Sequence, residues 1–410
     1  MNRRKFLQQL GLISGGTLVA VGARGWVARS ASRPNGKPKR LVVVFLRGAV
    51  DGLNVVIPHS ESAYYDARSL IAIAPPNEKN GALDLDGRFG LHPALESVMP
   101  LWKQGSLAFV HACGSPDATR SHFDAQDYME SGTPGIKNTQ DGWMNRLLNV
   151  MHSQSPIQAI NVGATMPRIL TGRMSVASLP VGRDAERPLP IDRPQMSEAF
   201  NQLYNGDDAL SKAYQEARAA RQQIMTDLNQ EMIQANKGAP SPTGFARDTQ
   251  QLARLMVKDP SVELAFMALG GWDTHVNQGG ATGQLARNLK GLGEGLAALQ
   301  QGLGSVYSDT AIVVMSEFGR TVHENGNGGT DHGHGNVMWL MGGAIKGGKV
   351  YGQWPGLAKE QLYEGRDLAV TTDFRDAIAS VLSRHLQLDG AKINQIFPNY
   401  RKLGFKTPSF

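Results

Sequence analysis

Residues 262–275 read VELAFMALGGWDTH, an apolar, β-prone run that ends at two glycines and is followed, after Trp272, by Asp273 and His275. A second run of this kind, 310–315, leads directly into Ser-Glu-Phe-Gly-Arg-Thr at 316–321. Continuous apolar runs of this length are typical of buried strands in a parallel sheet. Because ligands bind at the carboxyl ends of such strands, the two runs predict an α/β sheet with a polar crevice at that edge.

The rest of the chain repeats the alternation of strand-like and helical patterns. Further strand-like runs lie at 41–46, 107–112, 157–162 and 337–341, and helical patterns lie at 93–104, 121–131, 143–152, 285–303 and 373–385. This order predicts a mainly parallel sheet with helices on both faces. The stretch at about 196–258 has no strand signal and predicts a helical insertion. We expect one α/β domain over residues 40–410.

The N-terminal segment has the pattern of an export signal. Arg3 and Arg4 precede a weakly apolar segment, 10–21, which glycine and serine interrupt and which stops before Arg24. A membrane span needs about 20 apolar residues, so this segment is too short. We expect residues 1–33 to be a twin-arginine signal peptide, with the twin-arginine translocase as the export partner and a periplasmic or secreted location. The mature chain then has no stable membrane span; an uncleaved, membrane-tethered leader is the alternative.

The charge balance excludes a nucleic-acid-binding role. The chain has 42 Lys and Arg, but nine of them lie in residues 1–40, where there is no acidic residue. The rest of the chain has 33 basic and 36 acidic side chains, whereas nucleic-acid binding needs a basic surface. The single cysteine, Cys113, excludes an intramolecular disulfide, and a buried small residue at a strand end is its simplest interpretation.

Carboxylates and imidazoles follow several of the predicted strands. Asp273 and His275 are two residues apart, which on an extended segment puts both on one side. His332 and His334 have the same spacing in the glycine-rich run 330–336. Such side chains are typical ligands of zinc, calcium, magnesium or manganese. The candidate metal ligands are Asp51, Asp273, His275, Glu317, His332 and His334. A turn-forming role competes for Asp51, and a capping role competes for Glu317.

A candidate nucleophile lies where a predicted helix begins after the strand at 107–112. Ser121, or Thr119, offers a hydroxyl at the positive end of the helix dipole, and Arg120 is suited to a forked pair of hydrogen bonds with phosphate or sulfate. The competing interpretation is an ordinary helix cap in which Asp117, Thr119 or Ser121 accepts backbone hydrogen bonds. The residues alone favour neither.

Taken together, these motifs resemble a known family. They are the twin-arginine leader, Arg-Gly-Ala-Val-Asp-Gly-Leu-Asn at 47–54, Arg-Ser-His-Phe-Asp-Ala-Gln-Asp at 120–127, Gly-Gly-Trp-Asp-Thr-His at 270–275, Ser-Glu-Phe-Gly-Arg-Thr at 316–321 and Asp-His-Gly-His-Gly-Asn at 331–336. Over nearly the whole chain the sequence resembles a large exported bacterial family known as domain of unknown function 1501. That family is similar in organisation to the alkaline phosphatase and sulfatase superfamily.

The resemblance implies an alkaline-phosphatase-like α/β fold, two neighbouring metal sites and a hydroxyl nucleophile at a helix start. It implies that Asp51 is the first metal-binding Asp, and that Ser121, or less well Thr119, is the nucleophile. By the same resemblance, Asp273 with His275 would match an Asp-His ligand pair, although their spacing is two where the superfamily has four.

The later ligands depart further from the superfamily pattern. Glu317 with Phe318 stands where a second Asp-His pair belongs, which removes one imidazole. The late histidine would be His332 or His334.

Two classes of function follow from these observations. The first is an exported, metal-dependent hydrolase of phosphate or sulfate esters, with a small anionic ester as substrate and Arg120 or Arg320 balancing charge. The second is a non-catalytic exported binding or assembly protein that keeps a degenerate site. Fold alone does not separate them, because function depends on the site.

Overall fold

A computed structural model describes residues 37–151, 157–179 and 235–400. The predicted signal peptide and residues 196–234 of the predicted insertion lie outside these ranges. The strands are β1 (Arg40–Leu46), β2 (Val56–Ile57), β3 (Leu83–Asp84), β4 (Gly90–Leu91), β5 (Leu107–Gly114), β6 (Ala159–Val162), β7 (Ala177–Leu179), β8 (Leu264–Leu269), β9 (Thr310–Ser316), β10 (Asn336–Gly342), β11 (Lys349–Tyr351) and β12 (Thr372–Asp373).

The α-helices are α1 (Gly52–Val55), α2 (Ser62–Ala67), α3 (Met99–Lys103), α4 (His122–Ser131), α5 (Trp143–Val150), α6 (Phe245–Lys258), α7 (Gln284–Leu303), α8 (Phe374–His385) and α9 (Gly390–Ile396). Short 3-10 helices lie at Pro93–Val98, Arg168–Leu170, Gly304–Asp309 and Lys359–Gln361. No helix in the described ranges is both long enough and apolar enough to cross a membrane.

A nine-stranded sheet forms the centre of the fold. Its strand order is β11-β5-β10-β9-β1-β8-β6-β7, and β12 pairs with β5. All pairings are parallel except those that β10 makes with β5 and β9. The predicted mainly parallel α/β sheet is therefore confirmed. A small antiparallel sheet, β2-β4-β3, lies beside it and was not predicted, since each of its strands has only two residues.

The alternation of side chains along β1 places a hydrophobic core on each face of the sheet. Val42 and Val44 pack into a cluster with Leu252 of α6 and Leu289 of α7. The side chains between them, Leu41, Val43 and Phe45, pack into a second cluster with residues of α5, α8 and α9. All seven residues of β1 are buried, which explains why the strand reads as an unbroken apolar run.

The sheet topology brings several loops to one edge. Strands β1, β8 and β9 are parallel, and β5 runs the same way because both it and β9 are antiparallel to β10. The segments that follow these four strands, and the segment that precedes β10, therefore lie at the same edge. In an open α/β sheet this carboxyl edge is where ligands bind.

Candidate metal centre

Glycines allow the loops at this edge to pack backbone against backbone. Gly319 donates a hydrogen bond to the His334 carbonyl, and Gly333 donates to the Gly319 carbonyl. A Cβ on Gly319 would lie 1.8 Å from the carbonyl oxygen of Gly335, which is too close for any side chain. Gly48 has φ +112°, and a Cβ at this position would clash with the backbone nitrogen of Asp273. These close approaches join the loop after β9 to the segment before β10, and the loop after β1 to the loop after β8.

Three histidines and one aspartate converge between these loops. The Nε2 atom of His332 lies 2.9 Å from Nε2 of His122 and 3.0 Å from Nε2 of His275. Asp273 Oδ1 lies 3.0 Å from His275 Nε2 and 3.6 Å from His332 Nε2, and Asp273 Oδ2 lies 3.6 Å from His122 Nε2. We call His122, His275, His332 and Asp273 the histidine–aspartate cluster.

The other ring nitrogen of each histidine faces an oxygen. His122 Nδ1 lies 2.8 Å from Glu317 Oε1, and His275 Nδ1 lies 3.1 Å from Asp331 Oδ1. His332 Nδ1 lies 2.9 Å from the backbone carbonyl of Arg120. Because a carbonyl only accepts, His332 Nδ1 must carry the proton, and a neutral ring then presents a lone pair at Nε2. Carboxylates raise the pKa of His122 and of His275, so these two rings present Nε2 lone pairs at the same place only once a bound cation displaces their protons.

Glu317 is held as the partner of His122. Its side chain is fully buried, and Oε1 also accepts from the backbone of Gly48 and from the side-chain amide of Gln126, each at 2.8 Å. Gln126 is itself fixed by Arg47, which makes a 2.7 Å salt bridge to Glu130. This buried network fixes the orientation of the His122 ring.

The charges of the cluster act strongly on one another. Burial alone would raise the pKa of Asp273, but His122, His275, His332 and Arg320 hold it far below its usual range. Burial alone would lower the pKa of His122, but Asp273 and Glu317 outweigh it and raise that pKa to about 9.

The other members of the cluster shift in ways that follow from their neighbours. Burial would raise the pKa of Glu317, but His122 lowers it to about 2. Burial, assisted by the charges of Arg320 and His122, lowers the pKa of His332. Glu317 is therefore an anion at neutral pH, and His332 is neutral and able to act as a ligand.

These donors fit a divalent metal ion. Converging Nε2 lone pairs repel one another unless a cation lies between them. Asp273 Oδ2 is buried and, among the described residues, has no hydrogen-bond partner. The ligand atoms of His122, Asp273 and His332 all lie within 4.8 Å of one another. Imidazoles whose second nitrogen is hydrogen-bonded to a carboxylate or carbonyl are typical of metal ligands.

Four of the six predicted metal-binding residues lie together in the structure. Not all four of them direct a ligand atom at the place where the Nε2 atoms meet. Asp273, His275 and His332 are in the cluster, whereas Glu317 touches it through His122. Asp51 is engaged elsewhere: Arg68 donates to both of its oxygens, at 2.6 and 3.0 Å, and Gln278 donates at 2.7 Å. The ring of His334 packs against Tyr363, with the centroids 4.7 Å apart.

The predicted nucleophile segment lies directly beside the cluster. Ser121 is exposed and caps α4, accepting a hydrogen bond from the backbone of Asp124 at 3.4 Å. Thr119 accepts from the backbone of Ser121 at 3.3 Å. The Arg120 guanidinium pairs with Glu364 and with the buried Asp367, at 2.6 and 2.7 Å.

The guanidinium of Arg320 is also hydrogen-bonded to groups of the protein. It is fully buried, and it donates to the carbonyls of Gly48, Ala49 and Thr330 and to Asp273. In this arrangement Arg320 neutralises Asp273 and joins the loops after β1 and β9.

Sequence reasoning missed His122. The pattern at 121–123 indicates a helix start with either a nucleophile or a cap, and nothing in it marks the imidazole of His122 as a ligand. The available signal is its position: His122 is the first residue of a helix that follows a strand ending at the same edge of the sheet as the strand before Asp273. Its ring also packs on Phe318, with the centroids 4.8 Å apart.

Replacing Glu317 by Gln should weaken zinc binding by about 10–100-fold without abolishing it, because the change alters the partner of a ligand and leaves the ligand in place. A competition titration against a zinc chelator measures this. Asp331→Asn is the matched control: Asp331 is more than half exposed, so its loss should weaken binding less. If Glu317→Gln loses all bound metal, Glu317 is itself a ligand.

Comparison with solved structures finds distant likenesses. The structure of Ps i-CgsB in complex with k-i-k-neocarrahexaose shares 10% identity, covers 87% of this chain and 74% of that one, and has a TM-score of 0.41. A protein in the alkaline phosphatase superfamily from Vibrio parahaemolyticus shares 12% identity over 86% and 72% of the two chains, with a TM-score of 0.36.

A third solved structure, the sulfatase PsFucS1 from Pseudoalteromonas sp., shares 11% identity over 88% and 70% of the chains, with a TM-score of 0.39. All three TM-scores lie below 0.5, so these likenesses carry no argument about the site.

Comparison with curated proteins finds no match. The family described as "Protein of unknown function (DUF1501)" matches residues 38–397, which is most of the chain and includes every residue of the histidine–aspartate cluster. The chain therefore belongs to the DUF1501 family.

Proposed function

We propose that this protein is an exported, metal-dependent hydrolase of phosphate or sulfate esters. The observation that carries the proposal is the histidine–aspartate cluster: three Nε2 atoms and one buried carboxylate converge beside an exposed serine at the carboxyl edge of the sheet. Buried imidazoles and carboxylates assembled at this edge are typical of catalytic centres.

His122, His275, His332 and Asp273 are the residues that would hold the ion. The imidazole donors favour zinc and the carboxylate donor also suits manganese, whereas calcium and magnesium favour sites made of oxygen atoms alone. When bound, such an ion supplies Lewis acidity toward an ester oxygen. Glu317, Asp331 and the carbonyl of Arg120 keep the three rings in the orientation that binding needs.

Ser121 is the proposed attacking residue. Ser121 directly precedes His122 in the chain, and it lies at the N-terminus of the ten-residue helix α4. That terminus favours an oxyanion through its free N–H groups. Thr119 is the less favoured nucleophile, since it is two residues further from His122 along the chain. Arg120 would become an anion clamp only by leaving Asp367 and Glu364.

Three replacements separate a nucleophilic Ser121 from a purely capping one. Ser121→Asn keeps a cap without a hydroxyl, Ser121→Thr keeps both, and Ser121→Ala removes both. We expect Asn and Ala to lower kcat by about a thousandfold or more, while Thr keeps measurable turnover. The assay is a panel of phosphate and sulfate esters with zinc or manganese. Full activity in Ser121→Asn would contradict the assignment.

The second candidate function is a non-catalytic exported binding protein. Two observations favour it: the guanidiniums of Arg120 and Arg320 are both paired with protein carboxylates, and the Ser121 hydroxyl is used as a helix cap. In that case the metal would stabilise the fold alone. Metal-loaded, folded protein without turnover on any ester of the panel would favour this function.

Export is tested separately from chemistry. Replacing Arg3 and Arg4 together by Lys should leave the precursor in the cytoplasm, because the twin-arginine receptor reads that pair. Cell fractionation followed by immunoblotting measures it, with replacement of Arg24 and Arg29 by Lys as the matched control. Unchanged periplasmic protein in the Arg3/Arg4 variant would remove the basis for this location.

A further inference from the structure

Phe123 is an exposed aromatic side chain next to the cluster. It follows His122 directly, yet its relative exposure is 74%, whereas that of His122 is 6%. Among the described residues only four large hydrophobic side chains are exposed, and two of them, Phe123 and Val276, each follow a histidine of the cluster. An exposed aromatic ring at this position is free to pack on an aromatic group of a ligand bound at the cluster.

A cation lies beside this ring. The Lys237 ammonium is 5.3 Å from the centroid of the Phe123 ring, within cation–π range. Among the residues that the structure describes, Lys237 forms no salt bridge with a carboxylate, whereas Arg47, Arg120 and Arg320 all do. Of these four cations, Lys237 is the one without a salt bridge to a described carboxylate, and burial lowers its pKa.

The turn that carries Lys237 is fixed to the centre from two sides. The carbonyl of Ala235 accepts from the Gln126 side chain at 2.6 Å, and the same amide group contacts Glu317. The Asn236 side chain accepts from the backbone of Gly271 at 2.7 Å, two residues before Asp273. Lys237 is thus tied both to the helix that bears His122 and to the loop that bears Asp273.

We propose that Phe123 and Lys237 form a subsite for aryl phosphate or sulfate esters, in which Phe123 packs on the aromatic alcohol group and Lys237 pairs with an anionic oxygen. This inference rests on the proposed function and names its substrate class. An aromatic group suits Phe123 because the ring stays largely exposed with Lys237 beside it, and stacked aromatic pairs add to affinity beyond the area that they bury. The positively charged ammonium of Lys237 suits the negatively charged oxygen of the ester.

Binding of phosphonates tests the subsite without requiring turnover, since their carbon–phosphorus bond replaces the ester bond. Zinc-loaded full-length protein is titrated by calorimetry with phenylphosphonate and with methylphosphonate. We expect the wild type to bind the phenyl compound about tenfold more tightly. Phe123→Ala should reduce this preference to near unity, and Phe123→Tyr should keep it. Lys237→Gln should weaken the binding of both phosphonates by a similar factor, about fivefold to tenfold. Lys237→Arg should keep the binding of both near the wild-type affinity.

The outcomes separate the subsite from the hydrolase proposal. The subsite proposal is wrong if Phe123→Ala keeps the phenyl preference, or if the wild type binds neither phosphonate. This holds even if the same protein hydrolyses small esters such as methyl phosphate. A phenyl preference that depends on Phe123, in protein without turnover on any ester, supports the subsite and contradicts the hydrolase.

Discussion

If the histidine–aspartate cluster binds a metal as proposed, purified His332→Ala protein should lack that metal, whereas His334→Ala should keep about one divalent ion per chain. The two histidines are two residues apart in the same glycine-rich run, but only His332 faces His122, His275 and Asp273. Removing an outer partner of a ligand costs about 10–100-fold in metal affinity, so removing the ligand itself should cost at least about a hundredfold. Elemental analysis of purified protein measures the difference.

Thermal unfolding gives a second, independent measure of the same loss. A metal present at about 1,000 times its Kd stabilises the folded state by about 4 kcal/mol. A chelator should therefore lower the Tm of the wild type and of His334→Ala, and it should leave the Tm of His332→Ala unchanged. His334 is the matched control because it is also a buried histidine of this loop. Metal retained by His332→Ala and lost by His334→Ala would contradict the geometry of the cluster.

The sequence predicts the central strands well because their burial is unambiguous. Strands β1, β5, β9 and β10 are buried along their whole length, so each contains a largely apolar run of at least four residues. The strands that were missed, such as β7 and β11, have three residues and are partly exposed, so no periodic signal marks them. Their existence depends on pairing with β6 and β5, which is a tertiary effect.

The candidate site can be predicted only in part from the sequence, for a related reason. A spacing of two residues suggests that His332 and His334 share one side, as they would in a regular strand. The backbone around them pairs instead with the loop after β9, through Gly319 and Arg320, and sends the two rings to different neighbours. Asp51 likewise looks like a ligand until its buried partner, Arg68, is seen 17 residues further along the chain.

The largest expected effect on stability comes from this buried pair. Arg68 and Asp51 are both 0% exposed, and two guanidinium nitrogens of Arg68 donate to the two carboxylate oxygens. Arg68 also donates to the carbonyls of Thr321 and Val322, so the pair joins the loop after β1 to the loop after β9. Asp51→Asn should destabilise the protein by about 3–5 kcal/mol, because it leaves the Arg68 charge buried without its counter-ion.

The same variant distinguishes a structural Asp51 from a metal ligand. If Asp51 only neutralises Arg68, Asp51→Asn should bind as much zinc as the wild type at a temperature where both are folded, while urea unfolding shows the loss of stability. The double variant Asp51→Leu with Arg68→Met removes both charges and should recover much of that loss, since a buried ion pair replaced by apolar groups of similar volume is often neutral in stability. Zinc lost from Asp51→Asn with no change in stability would instead make Asp51 a ligand, because an unpaired buried guanidinium cannot leave the free energy of unfolding unchanged.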